Sequence, residues 1–135
     1  MPTAIRIQND ALLRLIEHAE KEPRKECCGL LAGGSGVITR VFAVTNAAAD
    51  PAKSYEIAPK ELFPLMRELR AAGLEMMGIY HSHPNGNNEP SPLDIERSYY
   101  PDAAYFILSP STNTAAVRAF SIRDGFVTEL TVFTE

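Results

Sequence analysis

Apolar residues recur along the chain at the spacings of helices and strands. Positions three and four apart are apolar in two segments, which predicts helices over residues 10–21 and 61–72. Asp10 is the expected N-cap of the first helix, Pro23 stops it, and Gly73 ends the second. A third helix is predicted from Pro92 to about Tyr100.

Short runs of apolar and β-branched residues between turn residues predict strands. Residues 27–32 are almost continuously apolar, as expected of a strand covered on both faces. Residues 33–36 have turn composition, so residues 37–45 should return as a hairpin strand. The remaining predicted strands are residues 3–7, 55–57, 76–81, 104–108, 115–122 and 126–133.

Hairpins outnumber strand-helix-strand crossovers in this order of elements. The predicted fold class is therefore α/β (α+β), with a central mixed, largely antiparallel sheet flanked by two to three helices. The chain has 135 residues, 45% hydrophobic and 22% charged, and no linker or repeat divides it. One domain over residues 1–135 is expected.

Charge and cysteine content narrow the partners and the compartment. The net charge is -4 and no stretch concentrates Lys and Arg, which argues against nucleic acid or an anionic membrane as the main partner. The N-terminus lacks the apolar run of a secretory signal. Cys27 and Cys28 are adjacent, so a disulfide between them would be strained. The sequence predicts a reduced, cytoplasmic protein.

The segment from His81 to Asp94 carries the candidate chemistry. His81 and His83 are two residues apart on an extended segment, so their imidazoles project to the same side. Asp94, on the first turn of the next helix, can complete a set of two nitrogens and one carboxylate, typical of a catalytic zinc site with a position left for water. A polar strand end remains the alternative for the histidine pair. Ser91 and Asp94 also fit an ordinary helix cap.

Five further residues are candidates for a role in the site. Glu26 begins an apolar strand, where it is either a functional carboxylate or a solvated charge at the strand end. His18 lies beside the apolar face of the first helix and is expected at its boundary rather than in the metal site. The two cysteines are expected to be buried, small apolar residues rather than nucleophiles. Ser82 lies between the histidines and faces the opposite side.

Taken together, these residues resemble the motif of the JAMM (MPN-type) metallopeptidase family in its minimal bacterial form. Glu26, His81-x-His83, ten residues, and Asp94 with Ser91 three before it match that motif at every position. The resemblance implies a cytidine-deaminase-like fold and one zinc per chain, held by His81, His83 and Asp94. It also implies that Glu26 is the general base and that Ser91 stabilises the oxyanion.

The resemblance also implies a substrate class. Such enzymes hydrolyse the amide or isopeptide bond after the C-terminal glycine of ubiquitin-like proteins, here expected to be sulfur carriers of the ThiS and MoaD type. A metal-free MPN scaffold and a zinc amidohydrolase for a small peptide remain alternatives. The sequence leaves open which carrier is cleaved, whether the protein forms a homodimer, and whether Glu26 itself binds zinc.

Overall fold

The computed structural model describes residues 3–110 and 117–135, and within them seven strands and three helices follow the predicted order. The elements are β1 (Ala4–Ile7), α1 (Asn9–Lys21), β2 (Cys28–Gly34), β3 (Val37–Val44), α2 (Pro59–Ala71), β4 (Glu75–Ser82), α3 (Pro92–Glu96), β5 (Ala104–Leu108), β6 (Val117–Arg123) and β7 (Phe126–Thr134). The strand predicted over residues 115–122 corresponds to β6, and its first two residues lie outside the described residues. No helix in the described ranges is long and apolar enough to cross a membrane.

The strands form one mixed sheet that closes into a barrel in the order β1-β3-β2-β4-β5-β6-β7. The pairs β1-β3, β1-β7 and β4-β5 are parallel, and β2-β3, β2-β4, β5-β6 and β6-β7 are antiparallel. This confirms the mixed, largely antiparallel sheet. Closure depends on β1, which pairs with both β3 and β7 and leaves the sheet without an edge there.

The two long helices cover opposite faces of the sheet. The apolar face of α1 packs into a buried cluster that receives residues from all seven strands, so α1 lies against the inner face of the barrel. The buried residues of α2, Leu62 and Leu69, join a second cluster with residues of β2, β4, β5 and β6 on the outer face. Strand β2 is buried on both faces, as its apolar run predicted.

Three local predictions were wrong. Asp10 does not cap α1: Gln8 occupies the N-cap without a side-chain bond, and Asp10 lies in the first turn. Residues 55–57 form no strand, because this segment bonds the preceding loop, as when the Glu56 N–H donates to Asn46 Oδ1. Helix α3 ends at Glu96 rather than near Tyr100, whose N–H donates to the hydroxyl of Tyr105 instead of a helical carbonyl.

Two glycine positions are required by the backbone. The β2-β3 hairpin turns at Ser35 and Gly36, which both have positive φ, while Gly33 and Gly34 continue the strand. Gly29 lies opposite Tyr80 in the β2-β4 pair. A Cβ at Gly29 would lie 2.4 Å from both the Tyr80 ring and the Phe42 carbonyl oxygen. Gly29 therefore makes room for the fully buried Tyr80 ring.

Candidate metal centre

The antiparallel pairing of β2 with β4 brings Glu26 to the histidines. Cys28 pairs with His81, so the start of β2 lies beside the end of β4. The backbone of Ser82 donates to the Cys27 carbonyl, and the Ser82 hydroxyl accepts the Cys27 N–H at 2.9 Å. Because side chains alternate along strands, Glu26 shares the outer face of the sheet with both histidines. Ligand atoms of these three residues all lie within 4.8 Å of one another.

His81, His83 and Asp94 converge on a single point. The two Nε2 atoms are 3.0 Å apart. Asp94 Oδ2 lies 3.1 Å from Nε2 of His81 and 3.0 Å from Nε2 of His83. Three atoms in such a triangle cannot all share near-linear hydrogen bonds, because each N–H points along one line only. The arrangement thus favours a cation that all three atoms contact.

The tautomer of His83 strengthens this conclusion. Its Nδ1 lies 2.7 Å from the backbone carbonyl of Asn87, which can only accept, so Nδ1 carries the proton. The lone pair of a neutral His83 is then on Nε2, facing the carboxylate oxygen of Asp94 and the second imidazole. A nitrogen lone pair beside a carboxylate is repulsive unless a proton or a metal ion lies between them. A fixed Nδ1–H is also the usual partner arrangement of a metal-binding histidine.

Zinc fits this donor set in chemistry and in size. Two imidazole nitrogens and one carboxylate are a catalytic zinc set. Zinc bonds of about 2.0–2.2 Å in tetrahedral geometry separate ligand atoms by about 3.3 Å. The observed separations of 3.0–3.1 Å are close to that value. A few tenths of an ångström of adjustment would admit the ion.

The ionisable groups of the centre have pKa values shifted by burial and by one another. Burial lowers the pKa of His81. Burial would also lower the pKa of His83, but its bonds to Asp94 and to the Asn87 carbonyl raise it above its usual value. Burial opposes ionisation of Asp94, yet the adjacent imidazoles of His81 and His83 and the Ser91 N–H hold its pKa far below the ordinary range. Asp94 is therefore a carboxylate at neutral pH, as a metal ligand must be.

Tyr55 holds the ring of His81. The two rings are stacked, with centroids 4.2 Å apart and planes 20° from parallel. The buried Nδ1 of His81 has no hydrogen-bond partner among the described residues. Metal-binding histidines are usually oriented through that second nitrogen, and here the aromatic contact takes over part of this orienting role. This role of Tyr55 could not be predicted from the sequence, because a tyrosine in a loop carries no local signal of such a contact.

Glu26 is buried, with 6% of its surface exposed, and its Oε1 is a buried atom with no hydrogen bond in the described part of the chain. Burial raises the pKa of Glu26 to about 7, against an opposing effect of His83 and a supporting one of Asp94. This excludes the alternative of a solvated charge at the strand end. A carboxyl group whose pKa lies near neutrality suits proton transfer.

The loop after β3 fixes the backbone of Glu26. Its N–H donates to the Pro51 carbonyl at 2.7 Å, and its carbonyl accepts from the side chain of Asn46 at 2.9 Å. The Asn46 amide also donates to the Ser54 carbonyl, and its oxygen accepts two backbone N–H groups. Asn46 thereby ties residues 46–56 to the base. No local sequence pattern indicates this role, because asparagine is common in loops.

Ser91 and Asp94 form a complete capping box at the start of α3. The Asp94 N–H donates to Ser91 Oγ at 3.0 Å, and the Ser91 N–H donates to Asp94 Oδ2 at 2.9 Å. This second bond reaches the same oxygen that faces both histidines. The cap interpretation is thus confirmed, and the cap itself orients the candidate ligand. Because Ser91 Oγ accepts in the cap, its own O–H proton remains available to donate.

Both cysteines are free and buried. Burial raises the pKa of Cys27 to about 11 and that of Cys28 to about 12. Neither thiol is ionised at neutral pH, which confirms that they are not activated nucleophiles. His18 lies on the other face of β4, where its ring contacts Tyr80 rather than the centre. Asn88, in the loop between β4 and α3, is buried.

Two cavities adjoin the centre. One of about 450 Å³ is lined by Glu26, His83 and Ser91 together with residues of the loop between β4 and α3. The other, of about 390 Å³, is mostly apolar and is lined by Tyr55 with residues of α2 and of the segment after α3, including Phe63 and Tyr99. Tyr55 therefore touches both a candidate ligand and the apolar cavity.

Comparison of the sequence with known proteins identifies a matching family and several named relatives. Residues 8–123 match Prok-JAB, described as prokaryotic homologs of the JAB domain. The desampylase of Haloferax volcanii is 36% identical over 113 residues, covering 79% of this chain and 81% of the relative. The CysO-cysteine peptidase of Mycobacterium bovis is 32% identical over 126 residues, covering 91% of this chain and 86% of the relative.

Solved structures share the fold. A solution structure of a Desulfitobacterium hafniense protein has a TM-score of 0.84 at 25% identity, covering 97% of this chain and 92% of that one. A structure described as JAMM, a metalloprotease-like zinc site in the proteasome and signalosome, has a TM-score of 0.62 at 19% identity, covering 96% and 98%. These likenesses confirm the expected JAMM/MPN fold.

Proposed function

The chain belongs to the Prok-JAB family of prokaryotic JAB-domain homologs, and we propose that it cleaves the amide bond after the C-terminal glycine of a ubiquitin-like sulfur-carrier protein. Its named relatives establish it as a peptidase of the JAMM class. The observation that carries the proposal is the triangle formed by Nε2 of His81, Nε2 of His83 and Oδ2 of Asp94. These atoms are the proposed ligands of one catalytic zinc ion.

Zinc in this position supplies Lewis acidity, which acidifies water and polarises the scissile carbonyl. Neighbouring residues preorganise the three proposed ligand side chains. Asp94 is kept ionised by its hydrogen bonds, His83 is held in the Nδ1–H tautomer by Asn87, and His81 is stacked on Tyr55. These restraints reduce the rearrangement that metal binding requires.

Glu26 is the proposed general base. Its carboxylate takes a proton from the attacking water and returns it to the leaving amine, so that one group serves both halves of the hydrolysis. Support comes from its place within 4.8 Å of both histidines, its raised pKa and its unpartnered buried oxygen. A base whose pKa is near 7 is partly ionised at neutral pH and becomes a strong enough acid once protonated.

Ser91 is the proposed oxyanion donor. Its Oγ accepts the Asp94 N–H, so the hydroxyl proton is directed away from the helix. Ser91 lines the same cavity as Glu26 and His83. A substrate carbonyl in that cavity would therefore meet a hydroxyl donor on one side and the base on the other.

The substrate class follows from the relatives and agrees with the shape of the site. The named relatives are a desampylase and a CysO-cysteine peptidase. The cavity of about 450 Å³ at Glu26 also borders His83 and Ser91, so a peptide bound there lies beside a proposed ligand and the proposed base. The neighbouring apolar cavity offers Phe63 and Tyr99, which are 55% and 72% exposed, to an apolar side chain of the bound tail.

The test is cleavage of a sulfur-carrier protein that ends in two glycines and continues into a short reporter peptide. Zinc-loaded protein should release the reporter by cutting after the second glycine, as read by intact mass spectrometry. The Glu26→Gln variant should be inactive, and Glu20→Gln, a matched change of an exposed helix glutamate, should be fully active.

Different outcomes identify the alternatives. If a short peptide made of a diglycine and the reporter is cleaved as fast as the carrier fusion, the protein is an amidohydrolase for small peptides. A zinc-loaded protein that binds the carrier but leaves it intact would indicate an interaction module. Substituting the final glycine of the carrier by valine should abolish cleavage, because a branched side chain cannot approach the ligands as closely.

A further inference from the structure

A second group of metal-binding side chains lies on the inner face of the barrel, behind the catalytic centre. It consists of His18 in the last turn of α1, Glu22 directly after that helix and Cys27 directly before β2. One ligand atom from each residue lies within 4.8 Å of the other two. Because Cys27 and Glu26 are neighbours on an extended chain, this group and the catalytic centre lie on opposite sides of the same backbone.

We propose that His18, Glu22 and Cys27 form a second metal site, which binds a thiophilic divalent cation such as zinc, cobalt or cadmium. The ligands are one imidazole nitrogen, one carboxylate oxygen and one sulfur. Sulfur and nitrogen ligands favour these ions, whereas magnesium and calcium prefer sites made of oxygen alone. Three protein ligands leave a fourth tetrahedral position for water.

The separations within the group suit a tetrahedral ion. Nε2 of His18 lies 3.2 Å from Oε2 of Glu22, and ligand atoms of a tetrahedral zinc ion are separated by about 3.3 Å for nitrogen and oxygen. A ligand atom of each residue, the Cys27 sulfur included, lies within 4.8 Å of those of the other two. His18 and Glu22 are four residues apart at the C-terminal end of α1, so changes in their side-chain torsions can bring the three ligand atoms together around one ion.

The second nitrogen of His18 is already oriented. Its Nδ1 is 2.7 Å from the hydroxyl of Tyr80, a fully buried residue that packs edge to face against the imidazole. A hydrogen bond at Nδ1 to a fixed partner is the arrangement found behind most histidine ligands, because it directs the Nε2 lone pair at the metal. Binding requires the tautomer in which Nδ1–H donates to the Tyr80 oxygen.

An ion can reach this site from solvent. The side chains of His18 and Glu22 are 20% and 31% exposed, while Cys27 is 1% exposed at the inner end. The ligand set therefore runs from two partly exposed side chains to one buried sulfur. Lys25 lies 3.6 Å from the other oxygen of Glu22, Oε1, and so leaves Oε2 available. On binding, the thiol proton of Cys27 passes to solvent, and bonds to the ion replace the contact between His18 Nε2 and Glu22 Oε2.

Without a metal the same residues have a simpler explanation. The Tyr80 hydroxyl could donate to His18 Nδ1 while Nε2–H donates to Glu22, and the Cys27 thiol interacts with the Ser82 side chain. In this relay each of the three residues has a partner without a metal. Metal binding and the relay require opposite tautomers of His18, so a direct metal titration decides between them.

Cobalt(II) provides the probe, because thiolate-to-cobalt charge transfer absorbs in the near ultraviolet and the proposed catalytic ligands include no sulfur. Metal-stripped protein saturated with cobalt chloride should develop this absorption with the intensity of one cobalt–thiolate bond per chain. Cys27→Ser should abolish it. Cys28→Ser is the matched control and should retain it, since the Cys28 thiol faces the opposite side and contacts the Val44 carbonyl.

Further variants keep the test decisive if Cys27→Ser does not fold. Glu22→Gln changes a partly exposed side chain and should weaken cobalt binding at this site by at least about 10-fold, the smaller loss seen for outer partners of metal ligands. His83→Ala should leave the absorption unchanged. That result separates the second site from the catalytic one, so a failure of either proposal is recognised independently. Absence of thiolate absorption in folded, cobalt-saturated protein would overturn the inference, as would its survival in Cys27→Ser.

Discussion

Replacing Glu26 by glutamine should stabilise the metal-free protein against unfolding. The same change should remove the activity of the zinc-loaded protein. Glutamine keeps the size of the side chain and removes its charge. Glu26 is 6% exposed, and burial raises its pKa from an ordinary 4.5 to about 7. The folded protein therefore holds a proton on Glu26 at pH values where the unfolded chain has already lost it.

The sign of the pH effect follows from this difference. When the folded pKa of a carboxyl group lies above the unfolded one, the free energy of unfolding falls as the pH rises between the two values. The favourable contribution is complete below about 4.5 and is lost above about 7. Since one pKa unit corresponds to 1.36 kcal/mol, the loss amounts to about 3 kcal/mol. The Glu26→Gln variant stays neutral and avoids it.

Thermal unfolding of metal-stripped protein measures the effect. Near pH 4.5 the wild type and Glu26→Gln should unfold at similar temperatures. Near pH 8 the variant should unfold about 10 °C higher, because 1 kcal/mol corresponds to about 3–5 °C for a domain of this size. The exposed control Glu20→Gln should change stability by less than about 0.5 kcal/mol at either pH.

The same variant tests the proposed mechanism. Loss of a general base should lower turnover by about 10²–10⁴ while zinc remains bound. A variant no more stable than the wild type near pH 8 would refute the burial argument. Loss of zinc together with activity would identify Glu26 as a ligand instead of a base.

Three other predictions concern the neighbours of Glu26. His83→Ala should weaken zinc binding by more than the roughly 10–100-fold lost when a residue that only hydrogen-bonds to a metal ligand is removed. Competition with a chelator measures the affinity, and an unchanged affinity would contradict the role of His83 as a ligand. Ser91→Ala should cost about 1 kcal/mol as a lost cap and also lower single-turnover cleavage by about 10²–10³; normal cleavage would leave only the cap. Tyr55→Leu should weaken zinc binding by about 10–100-fold, whereas Tyr55→Phe, which keeps the stacked ring, should not.

The elements of this fold could be predicted because they depend on local patterns. The buried strand β2, the two long helices and the hairpin at Asp124-Gly125 follow from apolar spacing and turn composition. The predictions failed where a distant partner competes with local preference. Residues 55–57 have strand composition, yet their backbone groups bond to Asn46 and the loop beside it.

The candidate site likewise combines features that follow from local sequence patterns with features that depend on the pairing of distant strands. That His81 and His83 face one side follows from the geometry of any extended segment, and the Ser91-Asp94 cap is a local motif of four residues. The importance of Glu26 came from family resemblance, since no local pattern connects a strand end to histidines 55 residues later. Only the β2-β4 register brings them together.

Tertiary structure alone decided closure of the barrel and the environment of each candidate group. Neither the stacking of Tyr55 on His81 nor the contact of Asn87 with His83 is visible in the sequence. The stacking joins two segments whose relative position results from many weak interactions across the cores, whereas the Asn87 contact depends on the conformation of the loop after β4. The residue types that a metal-dependent hydrolase requires can therefore be identified from the sequence. Their pKa values, tautomers and supporting partners depend on the tertiary structure.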